Sequence, residues 1–230
     1  MKIGFLGQTH LGQTLAMAST IRGHKAILDD LWNCDVVMVT QDVEDHGKRE
    51  ALDQLMSWAM SIPPQIPVVL VSQVPPGYTR RWASYRVALY YQVDTIIMDR
   101  ALLRATFPER IVIGKRHRAE ISEPYRKYLS SFECPIEQMS YESAEMVKLA
   151  VNFYLERQIE ATNELFEATQ RAGADWTSVK RGVKGDKRIG AYLDPGKPSE
   201  HHMRDVRTIR KLLEEQADDN HERGRRSVAS

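Results

Sequence analysis

Lys148 and Asn152 stand four residues apart in a stretch with helical spacing, so they share one helix face and can converge on a single oxygen. A cation and an amide donor aimed at one oxygen are what a developing alkoxide requires. The plainer alternative is that Lys148 pairs with Glu145 on a solvated helix surface. A second candidate is Gly7-Gln8-Thr9-His10-Leu11-Gly12, where an apolar run gives way to helical spacing. A helix N-terminus there would turn unpaired N–H groups and the positive end of its dipole toward a pyrophosphate. Thr9 occupies the middle glycine position of the G-x-G-x-x-G pattern, the one that lets backbone approach phosphate, so the site is expected to be weakened. Asp30 lies 23 residues beyond Gly7 and follows Asp29. Either acid takes the ribose hydroxyls of a dinucleotide, or both belong to a solvated turn. A third group is Glu200, His201, His202 and Asp205, whose imidazoles and carboxylates suit zinc or a similar ion. Adjacent histidines usually point apart and a polar loop is the commoner case, so no metal ligand is assigned. His201 alone would serve as an acid or base, since an unperturbed imidazole titrates near about 6.5.

The elements that must position these groups follow from periodicity. Lys2 to Gly7 reads as a strand and Leu11 to Arg22 as a helix stopped by Gly23. Ala26 to Asp30 reads as a second strand ending in an acid. Cys34 to Thr40, Pro67 to Ser72 and Arg110 to Gly114 are strand-like runs, with helices over Lys48 to Ser61 and Glu123 to Phe132. This alternation predicts an α/β fold, a Rossmann-like parallel sheet with right-handed crossovers, over 1–138. From Ser140 roughly thirty residues run without Gly or Pro, and the apolar spacing predicts one helix of roughly 45 Å, capped by Ser140 or Ser143 and ended by Gly173. Shorter helices over Asp175 to Arg181 and Asp205 to Gln216 complete an all-α domain over 139–217. The polar residues 218–230 are expected to be disordered. So long a helix in so small a chain needs a surface to lie against, and a homodimer through it is expected.

Composition narrows the function. The chain has 230 residues, 42% hydrophobic and 27% charged, with a formal charge of +1. That balance gives no field to gather nucleic acid or a membrane surface, and no apolar run approaches the roughly 18 residues of a span. Cys34 and Cys134 are the only cysteines, without metal-like spacing, and Met1 opens directly into a strand-like run. A soluble, cytoplasmic protein is expected.

Several segments carry a resemblance. Ser72-Gln73-Val74-Pro75-Pro76-Gly77-Tyr78-Thr79 is similar to the S-T-V-P-P-G-T-T turn of the UDP-glucose/GDP-mannose dehydrogenase family, and Phe107 to Gly114 to its P-D-R-I-V-I-G. The long helix, from Ser143-Ala144-Glu145-Met146-Val147-Lys148 through Asn152 to Asn163-Glu164-Leu165, resembles S-A-E-L-V-K-x-A-x-N and N-E-L. Gly173-Ala174-Asp175, Asp186 to Gly190 and Pro195-Gly196 continue the match in order and spacing. The resemblance implies NAD as cofactor, bound along Gly7, Thr9, His10, Leu11, Gly12 and Asp30 and beside the turn at Val74 and Pro75. It implies a nucleotide-sugar substrate, with Lys148 and Asn152 holding an oxyanion and a catalytic water, helped by Asp205. It makes Glu145 and Arg188 substrate-binding residues, Arg188 reaching across a dimer interface.

The family pattern also breaks. The family oxidises an alcohol twice through a thioester on a cysteine, and His201 stands where that cysteine would fall. Two family glutamates fall at Asp94 and Met98, and the Thr of S-T-V-P is Gln73. The several tens of residues expected between the second and third strands are missing between Asp30 and Cys34, and a second nucleotide-binding domain would follow beyond the sequence. The implied activity is an NAD-dependent oxidoreductase that falls short of the full four-electron oxidation. The alternative is a non-catalytic or repurposed binding protein that keeps the scaffold and dimer.

Overall fold

A computed structural model describes residues 1–7, 9–43, 49–94, 96, 98–186, 189, 200 and 203–211. The chain divides into two compact units, Met1–Lys148 and Leu149–Ser230. In the first, the strands are β1 (Lys2–Leu6), β2 (Lys25–Ile27), β3 (Val36–Val39), β4 (Val68–Leu70), β5 (Leu89–Gln92), β6 (Ile111–Lys115) and β7 (Ile136–Ser140). The helices are α1 (His10–Ile21), α2 (Glu50–Ala59), α3 (Tyr78–Trp82), α4 (Ala101–Thr106), α5 (Glu123–Ser130) and the start of α6 (Tyr141–Arg171). Among the described residues the strands form one sheet in the order β2-β1-β3-β4-β5-β6-β7.

All of β3 is buried, as a continuous apolar run covered on both faces should be. Its residues alternate between two cores. Val37 and Val39 pack with Leu52 and Met56 of α2 and with Tyr141 and Ala144 of α6. Val36 and Met38 pack with Leu11 and Leu15 of α1 and with Tyr125 and Leu129 of α5. One departure from the predicted all-parallel sheet is that β5 pairs antiparallel with β6. Among the described residues of the 93–110 connection lie a helical turn at Met98–Arg100 and the short α4, and β6 then runs back against β5. β5, β7, α3 and α4 were not anticipated from periodicity, and β2 ends at Ile27, short of the acids expected to close it.

The short link from β2 to β3 is built around a glycine. β2 and β3 both lie parallel to β1, on opposite sides of it, with no crossover helix between them. In place of that helix a single helical turn at Leu31–Asn33 crosses the sheet, and buried Leu31 and Cys34 press against β1 at Gly4. A Cβ on Gly4 would meet Leu31 Cδ2 at 2.7 Å and Cys34 Sγ at 3.0 Å. The missing segment is thus replaced by side-chain packing onto a bare strand residue.

In the second unit α6 continues to Arg171, followed by α7 (Trp176–Lys184) and a helical segment at 203–211. The Ser140 hydroxyl accepts from the Ser143 N–H at 3.2 Å, which is the expected cap, and Asp175 caps α7 through the Ser178 N–H at 2.8 Å. Phe166 meets Trp176 edge-on with centroids 5.5 Å apart, joining α6 to α7. The buried face carries Ile159, Val206 and Ile209 beside an unusual share of polar groups, among them Asn152, Glu156, Thr162 and Asp205.

The Gly4 contact gives a direct test. Gly4→Ala should destabilise the protein by about 1–3 kcal/mol through overpacking, and Leu31→Ala by about 2–5 kcal/mol through a cavity. The double variant should cost clearly less than the sum in denaturant titrations, because the new methyl occupies the space Leu31 vacates. Additive losses would show that Leu31 does not fill the place of the crossover helix.

Candidate active site

In an open α/β sheet, ligands bind outside the carboxyl ends of the parallel strands, where β1, β3, β4 and β5 of the first unit finish together. From β1 the chain turns through Gly7 into α1, with Thr9 at the N-cap and His10 and Leu11 opening the helix. Gly12 lets this happen at close quarters, because a Cβ there would lie 2.5 Å from the Gly7 carbonyl oxygen and 2.6 Å from the Thr40 hydroxyl. The helix end is therefore drawn onto the ends of β1 and β3, the arrangement a dinucleotide cradle needs. Thr9 has ordinary extended torsions (φ −100, ψ 171) and donates its hydroxyl to the Thr40 carbonyl at 2.7 Å. The substitution at the middle glycine is absorbed without backbone strain, its side chain turned toward the end of β3. His10 is exposed, whereas the Leu11 side chain is a core residue, so Leu11 can offer a ligand only its main chain.

The Asp30 carboxylate accepts from Asn33 Nδ2 at 2.8 Å, and Asp29 accepts the Asp30 N–H at 3.0 Å. Both acids therefore organise the turn that starts the β2–β3 link. That geometry supports the solvated-turn reading of the pair.

After β4 the chain passes through buried Ser72, Gln73 and Val74 to Pro75, Pro76 and Gly77, and α3 begins at Tyr78. The Ser72 hydroxyl accepts the Gln41 N–H at 3.0 Å, tying this turn to the end of β3. Gln73 Nε2 donates to Asp94 Oδ2 at 3.2 Å, and the same oxygen lies 3.6 Å from Lys148 Nζ. The other Asp94 oxygen accepts the Ile96 N–H at 2.8 Å. All three side chains are buried. One step earlier on α6, the Glu145 carboxylate accepts the Gly77 N–H at 2.6 Å and the Thr79 N–H at 2.7 Å. Both of its oxygens are thus engaged by protein backbone rather than held out to a substrate.

In the second unit, Asn152 Nδ2 donates to one oxygen of Asp205, and Arg204 Nε donates to the other at 2.7 Å. Asp205 is fully buried. The structure thus joins Asn152 to Asp205, which the motif order implied across 53 residues of sequence. Arg188, His201 and His202 lie outside the described residues, as does the side chain of Met98. Among the described residues no group of three His, Cys, Asp or Glu side chains is placed to hold a metal ion.

Gln73 and Asp94 enter the sequence pattern only as departures from it, whereas the fold joins them in one buried cluster with Lys148. Reading Leu89–Gln92 as a strand would have placed Asp94 at its carboxyl end, beside the turn that carries Gln73. Burial pushes the Cys34 thiol up to about 11, and its sulfur donates to the Asp30 carbonyl at 3.4 Å. Burial also raises the Cys134 thiol. Neither is an activated thiolate.

Comparison with known proteins adds ancestry to this geometry. Residues 142–219 match the model of the UDP-glucose/GDP-mannose dehydrogenase family, central domain. The UDP-glucose 6-dehydrogenase TuaD of Bacillus subtilis (strain 168) is 34% identical over 97 residues, which cover 42% of this chain and 19% of that protein. A UDP-glucose 6-dehydrogenase of Pseudomonas aeruginosa is 29% identical over 150 residues, 63% of this chain and 33% of that protein. The chain therefore spans between a fifth and a third of the length of these two relatives. Among solved structures, a UDP-glucose dehydrogenase from the archaeon Pyrobaculum islandicum superposes with a TM-score of 0.78 at 18% identity, covering 94% of this chain and 64% of that one. The Mycobacterium tuberculosis 3-hydroxyisobutyrate dehydrogenase shares the fold at a TM-score of 0.71 and 13% identity, covering 94% of this chain and 87% of that one. Over residues 142–219 the chain is therefore similar to the central domain of the UDP-glucose/GDP-mannose dehydrogenase family.

Proposed function

We propose that the protein is an NAD-linked oxidoreductase that interconverts an alcohol and a carbonyl on a nucleotide sugar or related small molecule, and that it stops at this two-electron step. The observation that carries the reading is the buried Gln73, Asp94 and Lys148 network at the carboxyl ends of β4 and β5. Burying a lysine is costly, and replacing a buried ion pair by apolar groups is often neutral or stabilising, so a retained pair at a ligand-binding edge favours use over stability. The Gly7 to Gly12 turn suits a dinucleotide, because α1 opens at close quarters with the ends of β1 and β3. When bound there, the nicotinamide supplies the hydride acceptor or donor. Lys148 would then hold the substrate oxygen, whose proton passes to water as the carbonyl forms and is taken from water in the reverse direction, with Asp94 and Gln73 fixing the ammonium in place. Within the second unit, Asn152 is held by Asp205.

The two-electron limit rests on nucleophile chemistry. Taking an aldehyde on to an acid by the family's route needs a thiolate to add to it, and both thiols of this chain are raised by burial. The hydroxyl of Thr9, committed to Thr40, favours the rival reading of a repurposed binding protein whose phosphate contact is main-chain only. A homodimer through α6 is supported by Val151, Tyr154 and Leu165, exposed apolar residues on one stripe of that helix.

Isothermal titration should show NADH binding, tightened severalfold in Thr9→Gly; no heat from either protein at about 1 mM NADH would sink the enzyme reading. With a panel of UDP- and GDP-sugars and NAD, one NADH should form per substrate consumed, whereas two would show that the thioester step survives. Lys148→Met should cost about 3–5 kcal/mol by stranding the Asp94 carboxylate, and Asp94→Asn in the same chain should restore most of it. The stable double variant should still bind NADH and lose about 10²–10⁴-fold in turnover. In sedimentation, wild type should run as a dimer and Tyr154→Glu/Leu165→Glu as a monomer. A wild-type monomer would remove the dimer from the proposal.

A further inference from the structure

The first turns of α6 grip both ends of one loop. Its start, at Gln73, is tied through Asp94 to Lys148, and its end, at Gly77 and Thr79, is tied to Glu145. Between these anchors lie Val74, Pro75 and Pro76, the segment beside which a nicotinamide would sit. Glu145 precedes Lys148 by three positions on the helix, so one face carries both anchors. Resting on the oxidoreductase reading, we propose that Glu145 is a positioning residue, which sets the Val74 to Thr79 turn in its dinucleotide-ready form and links that form to the seating of Lys148.

Geometry supports the assignment. Gly77 sits in the left-handed region at φ +88, a conformation that directs its N–H to one carboxylate oxygen while the Thr79 N–H meets the other. Two charge-assisted bonds at 2.6 and 2.7 Å fix a five-residue helix that is too short to hold its own entry angle. Glu145 is fully buried. A carboxylate with both oxygens committed to main-chain N–H groups leaves little for a substrate, which distinguishes this role from the substrate contact the motif implied.

Stability does not explain the residue. Burial raises the Glu145 carboxyl above its ordinary range, against the pull of the Thr79 and Gly77 bonds, and neighbouring Glu142 raises it further. Arg80 on α3 faces the pair but is engaged with Glu142 at 2.7 and 2.9 Å. An acid whose folded value lies above its unfolded one favours folding in its protonated form, so that contribution falls away as pH rises through the raised value. Above that value the ionised side chain favours folding less than its protonated form does, because its two bonds do not fully offset its desolvation.

The test compares wild type with Glu145→Gln. At pH 7 the variant should melt at the same temperature or higher, while the Gly77 and Thr79 amides lose about tenfold or more of their hydrogen-exchange protection and the sheet amides do not change. NADH affinity should fall about tenfold, the expected effect of replacing one charge-assisted bond by a mismatched amide. In wild type, protection of these two amides should decline as pH falls through the raised carboxyl value, and in the variant it should be flat. Unchanged amide protection in Glu145→Gln overturns the proposal, as does a loss of melting temperature in step with affinity, or unchanged NADH affinity despite a loosened turn. If wild type binds no NADH, the oxidoreductase reading fails on its own, and amide protection still decides whether Glu145 sets the turn.

Discussion

Asp94 is the carboxylate on which the carboxyl edge of the first unit's sheet depends. It sits just past β5, and within reach of its two oxygens come the amide of Gln73, the ammonium of Lys148 and the N–H of Ile96. These groups arrive from a turn, a helix and a loop that share no local sequence. Left alone, each would face a desolvation penalty of several kcal/mol, and only together do they compensate it. The requirement to satisfy that one buried carboxylate therefore fixes where α6 starts and how the loop after β4 approaches it.

The second unit repeats the arrangement with different residues. Asp205 receives the amide of Asn152 on one oxygen and the guanidinium of Arg204 on the other. In both units a buried acid carries one amide and one cation. Buried polar clusters of this kind rigidify what they connect, because a slip leaves further buried groups unpaired. Such clusters hold donors in place before a ligand arrives, and that preorganisation is what electrostatic catalysis needs. Glu156 shows the contrast. It is also buried, with Arg157 and Arg210 at 3.6 and 3.7 Å, and its carboxyl is pushed up by burial and by Glu160 beside it. No motif and no strand end draws it to a ligand, and its partners lie on the surface of the same unit.

Much of this architecture was legible from pattern. The long helix, its Ser140 cap, its end before Gly173 and the fully buried third strand all follow from periodicity and cap chemistry. β5 and β7 were hidden for opposite reasons. Leu89–Gln92 is short and mixes aromatic with polar residues on doubly covered positions, so it shows neither a continuous apolar run nor alternation. Ile136–Ser140 is a half-exposed edge strand with little apolar content to find. Among site residues, Asn152 and Asp205 were joined only by motif order, since no local rule links positions so far apart. The type of Glu145 and its place on a motif helix suggest a ligand, whereas its partners in the fold are main-chain N–H groups, which leave no trace in side-chain spacing. Asp30 is similar, since strand length is not written in local spacing: β2 stops at Ile27, and the Asp30 carboxylate accepts from Asn33.

An ion pair at Lys148 is compatible with catalysis because of the chemistry of the ammonium group. It carries three donors, and holding Asp94 engages one direction, so a substrate oxygen can still be met. The carboxylate does cancel part of the positive field, which weakens attraction for a fully formed anion. What survives is short-range hydrogen bonding, strongest toward an oxygen that carries charge only in passing, gaining it as hydride reaches the carbonyl carbon and losing it as hydride leaves. That balance suits reversible alcohol and carbonyl chemistry, where charge on oxygen is transient. It suits less well a covalent thioester route, whose intermediates demand an activated thiolate, and Cys34, packed under Gly4 and held near the Asp30 carbonyl, has been turned to structural use. Gly4, Leu31 and Cys34 close the gap left by a missing crossover helix, so one of the two sulfurs that might have served chemistry serves packing.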